Sequence, residues 1–344
     1  TDDWATSQAV QVTGFAGGST GTADIPGQPS NTTVRFYVLS TTVEPTGWGS
    51  VVDLLTLSFD TNLGANYSYS TPLDATPVTA QDGPWTAPAT WTSGVVPPAE
   101  DSVVIAHDVS ISADLTHDNR IRIAAGASLT VSAGAAFTAQ TLLAQGGLTI
   151  SDGATLAASS GVTLDGGTLL VEGTLLNSGG VTGTGAFTVN GTFQLQSGGY
   201  TELPPAYGPA STLVYNTGGS YGRYNEWSAA IGSGYPQNVT LSGSTTLQLG
   251  NGAADVERSL AGTLTIEAGS ALTLNAPAMT QPLFVLGDVV NQGELTLSDS
   301  LGGDLKIAGS FTQNGTFTPN QRALFLQGDA AQTLSASAPL SLPY

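Results

Sequence analysis

The sequence predicts an all-β fold: a right-handed parallel β-helix, or β-solenoid, preceded by a small β-sandwich-like module. The 344 residues include 44 glycines and many β-forming Thr, Val and Leu residues, but only 10% charged residues, fewer than helix surfaces require. Short apolar triplets recur from about residue 100 onward. A proline-rich stretch separates these triplets from longer extended runs at the front of the chain.

Residues 1–80 are predicted to form a small antiparallel β-sandwich-like module. Extended runs lie at 8–15, 33–42, 54–60 and 66–71, and turns rich in Gly, Pro and Asn separate them. A complete immunoglobulin-like sandwich has about seven strands. We therefore expect this module to be incomplete at its front.

Residues 81–99 are predicted as a connection, rich in proline and tryptophan, that leads into the solenoid at 100–344. Its prolines oppose the continuation of a central strand, which places a domain boundary near residue 80. Trp85 and Trp91 lie next to this boundary. Large aromatic side chains in such a place are expected to seal the open end of an apolar core rather than to bind a ligand.

The spacing of the apolar triplets predicts the solenoid. The steps from Ile150 to Val171 to Val189 are 21 and 18 residues, and the step from Ile266 to Leu286 is 20 residues, about one coil of a parallel β-helix. Each coil is expected to stack on the next through short strands, with apolar side chains inward and Gly or Asn at the corners. Propeller blades need about 40 residues, so the shorter period favours the solenoid.

The stretch 200–236 interrupts this rhythm and is predicted as an aromatic excursion between two solenoid halves. It holds six of the ten tyrosines. Exposed rings would offer sugars a stacking platform, whereas buried rings would pack the excursion against the solenoid. We favour packing, because large aromatic residues are buried more often than they bind ligands. The candidate glycan-binding residues are Tyr207, Tyr215, Tyr221, Tyr224, Trp227 and Arg223.

Charge and cysteine content exclude several classes of function. With 7 Lys+Arg against 26 Asp+Glu the formal net charge is −19, so the basic surface that nucleic-acid binding needs is missing, and an anionic membrane would repel the chain. The absence of cysteine excludes disulfides, thiolate metal sites and a cysteine nucleophile. No apolar stretch approaches the roughly 20 residues of a membrane-spanning helix. We expect no nucleic-acid partner and no membrane insertion.

The titratable residues do not form a catalytic pattern. His107 and His117 lie near several aspartates, but two histidines in one coil do not make a three-ligand metal site. The adjacent acids Glu100 and Asp101 are expected to point to opposite faces of a strand, whereas a glycosidase needs two converging carboxylates. We therefore predict that the chain is not an enzyme and has no cofactor.

Calcium is the one cofactor alternative that stays open. Several aspartates stand beside glycine or in turns, where oxygen ligands could gather, but no repeated calcium-binding series is present. Asx turns explain these residues as well, and we favour that interpretation. The aspartates concerned are Asp152, Asp165, Asp299, Asp304 and Asp329.

Residues 85–109, with Trp91, Gly94, Pro97 and the run 101–105, resemble the opening of G8-like β-helical domains. This resemblance implies a β-helix that begins in this part of the chain.

Residues 211–227 and 279–334 resemble repeats of large secreted Bacteroidetes surface proteins, and the front runs are similar to the small β modules of those proteins. The resemblance implies export through the outer membrane, often by the type IX secretion system, and a role in adhesion, cell-surface structure or polysaccharide handling. Ser102 and Ser300 stand in Asp-Ser-apolar triplets that resemble the O-glycosylation pattern of such proteins. Ordinary strand starts and turns are the favoured explanation of both triplets.

We therefore predict a non-catalytic extracellular or cell-surface protein, a structural or adhesive rod that is part of a larger exported protein or assembly. Its expected partners are surface polysaccharide or neighbouring copies of itself. A carbohydrate-binding module that uses the 200–236 aromatics and a polysaccharide-active lyase or hydrolase are the alternatives. Because residues 332–344 would cap an open β-helix poorly, we expect the solenoid to continue into further chain or to meet another subunit.

Overall fold

The computed structural model of the chain describes residues 33–40, 58–60, 62–70 and 76–340. The chain divides into two compact units, Thr1–Ala75 and Thr76–Tyr344. The fold is almost entirely β, as the sequence predicts. Neither of the two helical segments in the described residues, each a three-residue 3₁₀ turn, is long enough to cross a membrane.

The front unit contains two antiparallel strand pairs in its described part. Strand β1 pairs with β4, and β2 pairs with β3. The ring of Phe36 stacks on that of Tyr67 at 5.4 Å between centroids, and the Tyr67 hydroxyl donates a 2.9 Å hydrogen bond to Asp60. The predicted run 8–15 lies outside the described residues. The strands are β1 (Thr33–Phe36), β2 (Val38–Ser40), β3 (Ser58–Asp60) and β4 (Tyr67–Ser70).

The second unit is a parallel β-solenoid of about 11 turns, which confirms the predicted architecture. Every strand pairing within residues 76–340 is parallel. The strands of its first part are β5 (Gly83–Pro84), β6 (Val103–Ile105), β7 (Val109–Ile111), β8 (Leu115–Ile123), β9 (Ser128–Val131), β10 (Ala136–Ala144), β11 (Gly147–Ile150), β12 (Thr155–Ala158), β13 (Gly161–Val171), β14 (Thr174–Asn177), β15 (Gly180–Val189), β16 (Thr192–Leu195), β17 (Tyr200–Thr201) and β18 (Ala206–Tyr207). Those of its second part are β19 (Thr212–Tyr215), β20 (Ser220–Gly222), β21 (Asn238–Leu241), β22 (Thr246–Gln248), β23 (Arg258–Leu260), β24 (Leu264–Ile266), β25 (Ala271–Thr273), β26 (Leu283–Val285), β27 (Val289–Asn291), β28 (Glu294–Thr296), β29 (Leu305–Ile307), β30 (Phe311–Gln313), β31 (Thr316–Thr318), β32 (Leu324–Leu326) and β33 (Leu334–Ala336).

One face of the solenoid runs unbroken through both parts, and we call it the continuous ladder. Its strands alternate half-buried and buried residues, because one side of each strand faces the core and the other faces water. The ladder consists of β8, β10, β12, β14, β16, β19, β21, β24, β27, β30 and β33.

The other two faces are each built from two separate ladders. The two front ladders are β6–β8–β10–β13–β15–β17 and β5–β7–β9–β11–β13–β15–β18. The two rear ladders are β20–β22–β25–β28–β31 and β23–β26–β29–β32, which form sheets of their own.

The predicted coil spacing is right in the first part of the solenoid and wrong at one step in the second. Ile150, Val171 and Val189 stack directly in register, as predicted. Ile266 instead lies opposite Asn291 in the continuous ladder. Leu286 follows a strand of a rear ladder on another face, so the 20-residue step does not join equivalent positions.

The tryptophan pair of the connection lies in the core of the first coils, as predicted. Trp85 and Trp91 are 1% and 2% exposed, and their rings meet edge to face at 5.0 Å. The Trp91 indole N–H donates a 2.8 Å hydrogen bond to the carbonyl of Trp85. The buried ring of His117 lies 5.2 Å from that of Trp85.

Candidate functional site: the buried cluster at the seam

Much of the stretch predicted as an excursion belongs to the solenoid itself. Strands β17, β18 and β19 pair with the coils before them, and β20 pairs with the coil after it. The part without strands is narrower, residues 223–237, and contains the 3₁₀ turn Asn225–Trp227. The predicted boundaries 200–236 therefore need correction, because four strands of the solenoid lie within 200–222 and the rings of Tyr215 and Tyr221 face inward.

This stretch marks a change in the solenoid that we call the seam. The front ladders end at β17 and β18, and the rear ladders begin at β20 and β23. Within residues 76–340 only the continuous ladder crosses this level as an unbroken sheet. Residues 223–237 lie between β20 and β21, at the position where the third strand of this coil would otherwise be.

Polar residues occupy the inward positions at the seam. Tyr215 lies in register with Leu241 in the continuous ladder, and Tyr221 lies in register with Leu247 in one rear ladder. Arg258 opens the other rear ladder, where the next coil carries a buried leucine. Together with Tyr207, Arg223, Glu226 and Trp227, these residues form what we call the seam cluster.

Glu226 is the centre of the seam cluster and is fully buried. Its carboxylate accepts a 3.0 Å hydrogen bond from the Tyr215 hydroxyl and bonds of 3.0 and 3.1 Å from the backbone N–H of Tyr224. Burial raises the pKa of Glu226 to about 7, although these donors and nearby Arg223 oppose the shift. The carboxyl group therefore changes charge close to neutral pH.

Arg223 and Trp227 fix the chain on either side of Glu226. The Arg223 guanidinium donates hydrogen bonds to four backbone carbonyls, and burial lowers its pKa. The Trp227 ring is fully buried, and its indole N–H donates a 2.7 Å bond to the carbonyl of Ser259. These bonds tie residues 223–237 to the first coil of the rear ladders. The carbonyls bound by Arg223 are those of Tyr224, Trp227, Leu249 and Asn251.

Two members of the seam cluster keep buried polar atoms without a hydrogen-bond partner. They are the hydroxyl of Tyr221 and the Nε of Arg258. Arg258 is 2% exposed and donates from its other nitrogens to the carbonyls of Glu257 and Ala253. Burial, and then the like charge of Arg223, lowers the pKa of Arg258 to about 10.

The structure buries or half-buries all but one of the residues considered for glycan binding. Tyr215 and Trp227 are fully enclosed, Arg223 is 7% exposed, and the Tyr207 hydroxyl donates inward to the carbonyl of Glu226. Tyr224 is 51% exposed, and its ring lies 5.6 Å from that of half-buried Tyr200. The rings therefore pack the seam and do not form a flat external platform.

The geometry of the seam cluster suits proton-linked stability. Glu226 is sealed from solvent, so a polymeric substrate cannot reach its carboxylate. Its protonation instead changes the net charge of a buried cluster that contains one carboxyl group and two guanidinium groups.

The two histidines do not share a site with each other or with the turn aspartates. His107 Nδ1 lies 3.1 Å from the Thr79 hydroxyl, and His117 Nε2 lies 2.7 Å from the carbonyl of Asp101. Burial lowers the pKa of His117. In the described part of the chain no group of three or more His, Cys, Asp or Glu residues could hold a metal ion.

Two of the turn aspartates join neighbouring coils through their side chains. Asp304 accepts a 2.8 Å bond from the backbone N–H of Ala323, and Asp165 accepts one of 2.8 Å from the Gln145 amide. Asp299 lies 3.5 Å from the Ser300 hydroxyl. These contacts connect successive turns of the solenoid or stay local.

The two serines considered for O-glycosylation are both half-buried. The Ser102 hydroxyl donates a 3.2 Å hydrogen bond to the side chain of Asn119. The backbone N–H of Ser300 is held by the hydroxyl of Ser298 at 3.0 Å. Glycosylation of either serine stays a prediction.

Sequence reasoning missed Arg258 and the central role of Glu226. One signal for Arg258 is present in the sequence: the triplet Arg258-Ser259-Leu260 has the apolar spacing of a strand but places an arginine at an inward position. Glu226 carries no such signal, because it lies outside any strand and depends for its burial on residues of several coils.

No protein-family model, no curated protein and no solved structure is significantly similar to this chain. Membership of the G8-like or Bacteroidetes repeat families therefore stays a prediction.

Proposed function

We propose that this chain is a non-catalytic, extracellular structural element, a β-solenoid that spaces or presents other parts of a cell surface. The observation that carries the proposal is the continuous ladder, which extends from β8 to β33 without a break. About 11 turns at the usual strand separation of about 4.8 Å give the solenoid a length of roughly 50 Å. Each turn contacts its neighbours, so the coils stack into one extended unit that a spacer requires.

The core and the charge support the same role. Most inward positions from the first coil to Phe311 are filled by Leu, Ile, Val and Phe, and polar side chains replace them at the seam. The net charge of −19 on a surface with few bases favours solubility and opposes contact between identical faces. A surface spacer needs these properties and needs no catalytic group.

Location and turnover can be tested together. Antibody labelling of intact cells of the source organism, before and after protease treatment of the cell surface, should show signal that the protease removes. Detection only after lysis would contradict an extracellular role. Purified protein should show no turnover of polysaccharides, and activity that disappears in Glu226→Gln or His117→Gln would contradict the non-catalytic role.

A further inference from the structure

One rear ladder carries an outward row in which the only lysine of the chain lies between two phenylalanines. Phe284, Lys306 and Phe325 are register partners on β26, β29 and β32. The Lys306 ammonium lies 4.6 Å from the Phe284 ring centroid and 5.8 Å from that of Phe325. We call these three residues the Lys306 row.

The Lys306 row is accessible and is surrounded by apolar side chains. Phe325 is 43% exposed, and Leu286, which follows β26, is 52% exposed. Phe284 and Lys306 are half-buried. Scattered exposed apolar residues are ordinary on a protein surface, but here two phenylalanines flank one cation in register.

Lys306 has no carboxylate within ion-pair distance among the described residues, although the chain has 26 acidic residues. Asp304 stands two positions earlier on the same face, and its Oδ1 already accepts the N–H of Ala323 at 2.8 Å. The ammonium is held by ring faces and keeps its capacity to bind an external anion.

We propose that the Lys306 row is a docking surface for a linear polysaccharide of carboxylate-bearing sugars. Phe284 and Phe325 are two strands apart, about 10 Å along the solenoid axis, so the row offers apolar contacts on both sides of a central charge. Ring faces and edges pack against the C–H faces of sugars, and the ammonium pairs with the carboxylate.

The face favours a sugar polymer over an acidic peptide. Lys306 lies on β29, whose backbone is paired on both sides, so a peptide could extend this sheet only at the outer edge of β32, one strand away from the ammonium. The row is a flat sheet face rather than a pocket for a side chain. The proposal does not depend on the spacer role, because a spacer without ligands would still form the same solenoid.

The test is binding of the full chain to polygalacturonate, with the fully methyl-esterified polymer and polyglutamate as comparison probes. Wild-type protein should bind polygalacturonate and neither comparison probe. Lys306→Gln should weaken binding about tenfold or more, the loss expected for one charge-assisted contact, and Phe325→Ala about fivefold. Lys306→Arg should retain binding.

Arg120→Gln is the matched control, because it removes one exposed positive charge on a front ladder. It should bind like wild type. Failure of wild-type protein to bind polygalacturonate, or equal losses in Lys306→Gln and Arg120→Gln, would overturn the proposal. Equal binding to polyglutamate would overturn it in favour of general attraction to polyanions. Circular dichroism of each variant distinguishes a loss of binding from a loss of folded structure. None of these outcomes bears on cell-surface location.

Discussion

The hydroxyl of Tyr215 donates a 3.0 Å hydrogen bond to Oε1 of Glu226 at the seam. Tyr215 belongs to the continuous ladder, whereas Glu226 belongs to the strand-free segment that replaces a strand of the coil. The bond therefore joins the unbroken face of the solenoid to the place where its other faces change ladders. Burial keeps the pKa of Glu226 near 7 in spite of this bond.

The first prediction is that solenoid stability falls as pH rises from about 4.5 to about 7. The folded state raises the pKa of Glu226 to about 7 from an ordinary value of 4.5, so in this window the folded protein holds a proton that the unfolded chain has released. The stabilisation is complete below about pH 4.5 and is lost through pH 7. The loss is on the order of 3 kcal/mol.

Urea unfolding at several pH values measures this effect. Glu226→Gln keeps a hydrogen-bond acceptor for Tyr215 but cannot ionise, so the difference between wild type and variant should change across the window. Stability curves that run parallel from pH 4.5 to pH 8 would show that Glu226 is not the group responsible.

The second prediction concerns Trp227 as the anchor of the strand-free segment. Trp227→Ala should lower the free energy of unfolding by about 3–5 kcal/mol, because it leaves a cavity and an unpaired carbonyl on Ser259. Tyr224→Ala is the neighbouring control, since that ring is 51% exposed, and it should change stability by about 0.5 kcal/mol or less. Equal destabilisation by both variants would contradict the anchoring role.

The architecture could be predicted because its signals are local and repeated. The triplets ending at Ile150, Val171 and Val189 stand on one face, so equal spacing in sequence becomes direct stacking in space. In the second part of the solenoid each coil carries three similar apolar triplets. The repeat length alone therefore does not show on which face of the solenoid a given triplet lies. The wrong step from Ile266 to Leu286 arose in this way.

The seam could be predicted only in outline. The tyrosines of 200–236 do mark the place where the rhythm changes, and the favoured interpretation as packing residues agrees with the burial of Tyr215 and the partial burial of Tyr207 and Tyr221. The sequence does not show that Tyr215 and Tyr221 occupy strand positions, because tyrosine suits both strands and exposed platforms. The charge of Glu226 depends on its burial by other coils, and no local pattern encodes that.

The third prediction tests how closely neighbouring coils approach one another at a glycine corner. Gly146→Ala would place a Cβ in steric conflict with the carbonyl oxygens of Ala127 and Ala124. Backbone must move to relieve this contact, so we expect a loss of about 1–3 kcal/mol. A Cβ added at Gly219 meets no atom within 4 Å, and Gly219→Ala should be neutral or slightly stabilising. Thermal unfolding of the two variants measures the difference, and a neutral Gly146→Ala would argue against tight stacking at this corner.

The fourth prediction concerns His117 in the first coils, whose effect on stability has the opposite pH dependence to that of Glu226. Burial lowers the pKa of His117, while its hydrogen bond to the carbonyl of Asp101 and the charges of Asp101, Asp118 and Glu100 oppose the shift. Below pH 6.5 the unfolded chain takes up a proton that folded His117 resists, so this residue contributes stability above pH 6.5 that is lost as the pH falls. Its effect has the opposite sign to that of Glu226.

The two effects overlap below pH 6.5, and variants separate them. His117→Gln keeps an amide donor for Asp101 without titrating, so it should show the rise in stability on acidification that Glu226 produces. Glu226→Gln should show the loss caused by His117. The double variant should have the flattest profile of the four proteins when urea unfolding is measured at pH 5, 6, 7 and 8. If the single variants had the same slope as wild type over this range, neither residue would control the pH dependence of the solenoid.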